Sequence, residues 1–88
     1  MNVFGIAAFR SRQQVMHFEG VFNREGIPVR VVSTPREVSA GCGLSLQFPI
    51  GQAADVQALL RRYRPSNLIG VYQVELRDGK TMLSALSK

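Results

Sequence analysis

The chain predicts an α+β fold of the ferredoxin-like βαββαβ kind, an antiparallel sheet with two helices on one face. Three observations lead there. Stretches with strand periodicity and stretches with helical periodicity follow one another as strand, helix, strand, strand, helix, strand. Glycine and proline stand at the joints between them. The length of 88 residues is enough for one hydrophobic core but not for two domains.

Each element has its own reason. Val3 to Phe9 is apolar at every position, which predicts a central strand buried on both faces. Ser11 is placed to cap a helix, with Gln14 three residues later to complete a capping box. Val15, Phe18 and Phe22 then recur at helical spacing, and Gly26 supplies the stop. Gly20 costs that helix roughly 1 kcal/mol relative to alanine, which suggests close packing on the sheet. Pro28 to Ser33 reads as a second strand with Val29 and Val31 inward. Leu44, Leu46 and Phe48 alternate with Ser45 and Gln47, as in a strand buried on one face.

A second helix from about Gln52 to Arg64 carries Val56, Leu59, Leu60 and Tyr63 on one stripe, with Pro65 beyond its end. Leu68 to Leu76 is the fourth strand. Asp78-Gly79 is a two-residue hairpin signal, so Thr81 to Leu86 can return as an extra edge strand, with a short helix or a frayed end as alternatives. Residues 1–76 thus read as the ferredoxin-like domain and 77–88 as a tail or hairpin strand.

Composition narrows the function classes. A hydrophobic content of 45% belongs to a folded chain. The single cysteine cannot close an intramolecular disulfide, so nothing calls for an oxidising compartment. The longest apolar run is too short for a bilayer and no basic segment precedes it, so the expected setting is cytoplasmic, away from membranes. The net charge is +5, and nine of the eleven basic residues are arginine. Arginine's planar fork suits carboxylates and phosphates, although a solvated surface uses it equally well.

Cys42 is the candidate reactive residue. It lies between Gly41 and Gly43, without the bulky apolar neighbours that wall in a structural cysteine. The strand order places its loop at one end of the molecule, with the start of helix one and the end of helix two. Arg10, Arg12, Arg36, Arg61, Arg62 and Arg64 belong to the segments at that end, with Glu37 their only acid. Cations and a helix N-terminus, here capped by Ser11, lower a thiol's pKa, and the thiolate is the nucleophile. Beside this stands a structural reading, in which Cys42 packs as a small hydrophobe under the turn and the arginines face water.

The stretch Gly26-Ile27-Pro28-Val29-Arg30 through Pro35-Arg36-Glu37-Val38-Ser39-Ala40-Gly41-Cys42-Gly43-Leu44 resembles the selenium/sulfur carrier protein-like family of small bacterial domains. The resemblance runs from the first strand to about the fourth and is most specific in the Pro-Arg-Glu to Cys-Gly segment. Relatives tend to carry serines ahead of the cysteine; Ser39 matches, whereas Ala40 and Gly41 depart. The resemblance implies that Cys42 carries sulfur or selenium as a persulfide or selenosulfide between donor and acceptor proteins.

The residue-level reading therefore centres on Cys42, with Arg36, Ser39, Gly41, Gly43, Arg10, Ser11, Arg61 and Arg62 as its binding surroundings. No cofactor is expected. A metal site is disfavoured because Cys42 and His17 fall short of a tetrahedral set, and the fold keeps this pair too far apart for Cys–His catalysis. No phosphate-binding glycine motif or paired catalytic carboxylates occur, so a carrier or accessory protein is favoured over a self-sufficient enzyme. Nucleic acid is disfavoured because the third strand lacks the basic-glycine-aromatic signature that stacks bases. The alternative is a non-catalytic binding or regulatory module that grips an anion or acidic protein with the arginine-rich end. An open edge strand leaves room for a homo-oligomer.

Overall fold

The structure, a computed structural model, describes residues 2–38 and 43–87. The elements are β1 (Asn2–Phe9), α1 (Arg12–Arg24), β2 (Arg30–Ser33), β3 (Leu44–Pro49), a 3₁₀ turn (Ile50–Gln52), α2 (Ala53–Tyr63), β4 (Leu68–Arg77) and β5 (Lys80–Ser87). The five strands form one sheet in the order β2-β3-β1-β4-β5, with every neighbouring pair antiparallel. The architecture is α+β, with five strands where the first four elements of strand pattern account for four. The fifth is the return strand after Asp78-Gly79. Both turn residues have positive φ, 51° and 77°, as a tight hairpin with matched twist requires.

The ends of α1 follow elementary capping chemistry. Ser11 sits in extended conformation and its hydroxyl accepts from the Gln14 N–H at 3.3 Å. Only this half of the expected capping box forms: the Gln14 side chain does not return to Ser11, and its Oε1 is buried without a hydrogen-bond partner. At the other end Gly26 adopts φ 81°. Its N–H donates to the Asn23 carbonyl at 3.2 Å and the Ile27 N–H to that of Phe22 at 2.9 Å, a Schellman closure. Ile27 and Phe22 then meet in the core. α2 ends on Arg64, a non-glycine residue at φ 51°, whose N–H donates to the Leu60 carbonyl at 2.8 Å.

Both helices pack on the same face of the sheet. Val15, Phe18, Val21 and Phe22 of α1 and Val56, Leu59 and Leu60 of α2 share one buried cluster with Ala7, Phe9, Leu46, Phe48 and Val71. Those strand residues lie on one face by register: Ala7 stands opposite both Leu46 and Val71. Gly5 belongs to the same face because a Cβ there would land inside the Phe48 ring, which crosses the strand at that point. Gly20, by contrast, meets only the Arg24 guanidinium of its own helix at 3.5 Å, so the close helix–sheet approach expected there is absent.

Two further details differ from the expected pattern. β2 begins at Arg30, not Pro28, since proline has no N–H for a ladder. Val29 and Val31 nonetheless pack against the core. Tyr63 ends the α2 stripe 46% exposed, touching Phe18 edge-on at 5.7 Å.

Candidate functional site

The site is built at the end of the sheet where β1 finishes. Phe9 stands opposite Leu44, the first residue of β3, and Leu68, the first of β4. The next residue, Arg10, donates its backbone N–H to the Asn67 carbonyl at 2.8 Å. The start of α1, the base of the β2–β3 loop and the connection from α2 to β4 are therefore joined at one end by backbone pairing.

The loop's stem is well defined. The Thr34 N–H donates to the Gly43 carbonyl at 3.0 Å, extending the β2–β3 ladder one step. The hydroxyls of Thr34 and Ser45 share a hydrogen bond at 2.7 Å, with Thr34 only 9% exposed and Ser45 not at all. The bond satisfies the Ser45 hydroxyl, which is buried although the alternation of β3 assigns it to the outer face. Gly43 has a spatial reason for being glycine: a Cβ there would stand 3.1 Å from Thr34 Oγ1 and 3.5 Å from the Phe9 carbonyl oxygen. Beyond the stem, the Val38 N–H closes a turn on the Pro35 carbonyl at 3.0 Å, which holds Arg36 and Glu37 outward and exposed. Ser39, Gly41 and Cys42 lie outside the described residues.

The cations expected at this end divide among its segments. Arg10 precedes the Ser11 cap, Arg12 opens α1, Arg36 sits in the turn, and Arg61 and Arg62 form the last turn of α2 ahead of Arg64. All six are exposed. Among the described residues none of them makes a hydrogen bond through its side chain or an ion pair; the ion pair present joins Arg77 and Glu75 in β4. Arg61 and Arg62 complement the negative pole of α2, whereas Arg12 adds positive charge to the positive pole of α1. The net result is an end of positive potential with Glu37 as its only acid, able to hold an anion or an acidic surface.

Other chemistry is sparse. His17 is exposed on α1 and packs edge-on against Phe18 at 5.1 Å. Among the described residues no three metal-ligating side chains come together. No helix is long and apolar enough to cross a membrane. Two shallow clefts, of about 350 and 220 Å³, lie at the opposite end, one around Phe4, Arg30 and Pro49 and the other between Glu25 and Asp55.

Sequence reasoning missed the Thr34–Ser45 bond and the left-handed Arg64. The first had a faint signal, two small hydroxyl residues flanking a glycine-rich loop; the second had none.

Comparisons with curated proteins and with solved structures give no match. A family model described as "Putative Se/S carrier protein-like" matches residues 4–70, roughly three quarters of the chain, from β1 into the start of β4. With the loop, its glycines and the arginine-rich end all inside that span, the chain belongs to the Se/S carrier protein-like family.

Proposed function

We propose that the protein carries sulfur or selenium on Cys42, in the cytoplasm, between a donor and an acceptor protein. Membership of the family is the observation that carries this reading. The exposed arginines at the end where the loop is rooted, which have no side-chain partner among the described residues, support it, because a persulfide or selenosulfide is an anion that such cations stabilise. We read the first four strands and two helices as a ferredoxin-like unit to which β5 is added.

In the loading step the Cys42 thiolate attacks the outer sulfur of a donor persulfide. A bond forms between the Cys42 sulfur and that sulfur, the donor S–S bond breaks, and the donor leaves as thiolate. Unloading is the same displacement by an acceptor thiolate. Neither step needs an external oxidant, reductant or cofactor. Arg36, Arg10, Arg61 and Arg62 stabilise the anion or dock the acidic partner, Ser11 and the α1 N-terminus add positive potential, and Ser39, Gly41 and Gly43 shape the loop.

The test is the pH dependence of Cys42 alkylation in the folded protein. The expected midpoint lies well below the free thiol value of about 8.5. A midpoint at or above that value, or no reaction before unfolding, would sink the carrier reading. Intact mass after incubation with a persulfide donor should show one added sulfur atom, absent in Cys42→Ser.

The six exposed arginines also favour a second reading, a binding module for an anion or acidic protein. In that case Cys42→Ser leaves partner affinity intact, while Arg61→Glu with Arg62→Glu abolishes it.

A further inference from the structure

The molecule measures 35 × 28 × 19 Å, and its thinnest dimension fits two layers at about 10 Å each, helices and sheet. Among the described residues no helix lies on the other face of the sheet. An antiparallel sheet that meets water on one side alternates apolar with polar residues; β3 keeps that alternation, with Ser45 and Gln47 on this side, but β1 and β4 do not. By register, one row across this face reads Pro49–Phe4–Val74–Leu83 and the next Arg30–Gln47–Ile6–Tyr72–Ala85, with Ile6 and Val74 already shielded by their neighbours within the chain. The two-sided apolar character of β1 has a covering layer on one side only.

From this face we infer that the protein is a homodimer whose subunits stack their helix-free sheet faces together. Three observations select a second copy as the occupant. The first is charge: Arg30, on the edge strand β2, is the one ionised side chain among the described strand residues of this face. Two chains each carrying +5 can approach closely only where neither presents charge, whereas an acidic partner is drawn to the arginine-rich end.

The second is anatomy. Aromatic and aliphatic residues of β1, β4 and β5 hold the centre, while Gln47 and Arg30 on one side and Thr81 on the other lie toward the margin, the apolar core and polar rim of an interface.

The third is area. Five strands about 4.8 Å apart and four to ten residues long give a face of roughly 500–600 Å² in projection. Two such faces bury on the order of 1,000–1,200 Å² before side-chain relief is added, which reaches the size of a specific interface. Pairing through the outer edge of β5 covers a strip only one strand wide. The inference is independent of the chemistry of Cys42.

The experiment is sedimentation equilibrium of the full chain over a concentration series. The expected mass is twice 9.7 kDa. Leu83 and Met82 are neighbours on β5 that point to opposite faces, Leu83 with Val74 and Met82 with Glu75. Leu83→Lys should raise the dissociation constant at least about a hundredfold, since two-fold symmetry buries the new charge twice. Met82→Lys, at a site 53% exposed on the helix side, should leave the mass unchanged. Ala85→Lys, at an already exposed site, must act as Leu83→Lys does, with circular dichroism confirming the fold of each variant. A mass of 9.7 kDa throughout overturns the inference, as does a dimer that survives both Leu83→Lys and Ala85→Lys or one that Met82→Lys breaks equally.

Discussion

Replacing Ser45 by alanine probes the stem that holds the candidate loop. Its hydroxyl is fully buried, 2.7 Å from that of Thr34, which is 9% exposed. The substitution removes a net hydrogen bond worth about 1 kcal/mol and leaves the Thr34 hydroxyl without its partner, so the expected loss is about 1–3 kcal/mol. Thr34→Val keeps the shape and strands the Ser45 hydroxyl, which is the more deeply buried of the two. Its cost should be at least as large. When both are replaced no orphaned polar group remains, and the double variant should be more stable than the sum of the singles predicts by roughly 1–2 kcal/mol. Urea denaturation of the four proteins measures this, with an unchanged m value showing that the unfolded reference is the same. In a thermal melt each 1 kcal/mol should appear as about 4–8 °C for a domain of this size. Additivity within about 0.3–0.5 kcal/mol would refute the reasoning, because it would mean that the two hydroxyls do not sustain each other.

Three other substitutions follow from local geometry. Gly5→Ala should destabilise by about 1–3 kcal/mol or prevent folding, since its methyl occupies the place of the Phe48 ring; a wild-type urea midpoint would contradict that packing. Arg64→Gly should raise stability by about 1 kcal/mol by relieving left-handed strain, and should weaken binding to a polyanionic resin at low salt; a stability loss would show that the Arg64 side chain stabilises the fold. Gln14→Leu should be neutral or stabilising by about 1 kcal/mol, because Gln14 Oε1 is buried without a partner; a loss beyond that would reveal one.

The order of elements was legible because it rests on local chemistry. Ser11 caps, Gly26 closes α1, and Asp78-Gly79 turns the chain wherever the rest of the molecule lies. What stayed hidden depends on a partner distant in sequence. Gly5 looks like a weak point in β1 until Phe48 is laid across it, and Gly20 looks like a contact until the sheet proves not to press on it. Ser45 reads as solvent-facing by alternation, yet it is buried, with Thr34 satisfying its hydroxyl. Among the candidate site residues, the common end of Arg10, Ser11, Gly43, Arg61 and Arg62 was readable from strand order alone. Arg64 was not, since nothing in its neighbours signals a left-handed backbone.

The central position of β1 also bears on how the chain comes to be folded. Its partners are β3 and β4, and Ile6 meets Tyr72 more than sixty residues further along. At about 5–20 residues per second, a ribosome takes on the order of 3–13 s to deliver that partner after β1 has been made. Throughout that interval the most apolar strand of the protein has no complete sheet to join. The β4–β5 hairpin, joined by a two-residue turn, closes in about 1–10 μs once it is available. Synthesis, and not the closing of the hairpin, sets the time for which β1 is exposed to aggregation.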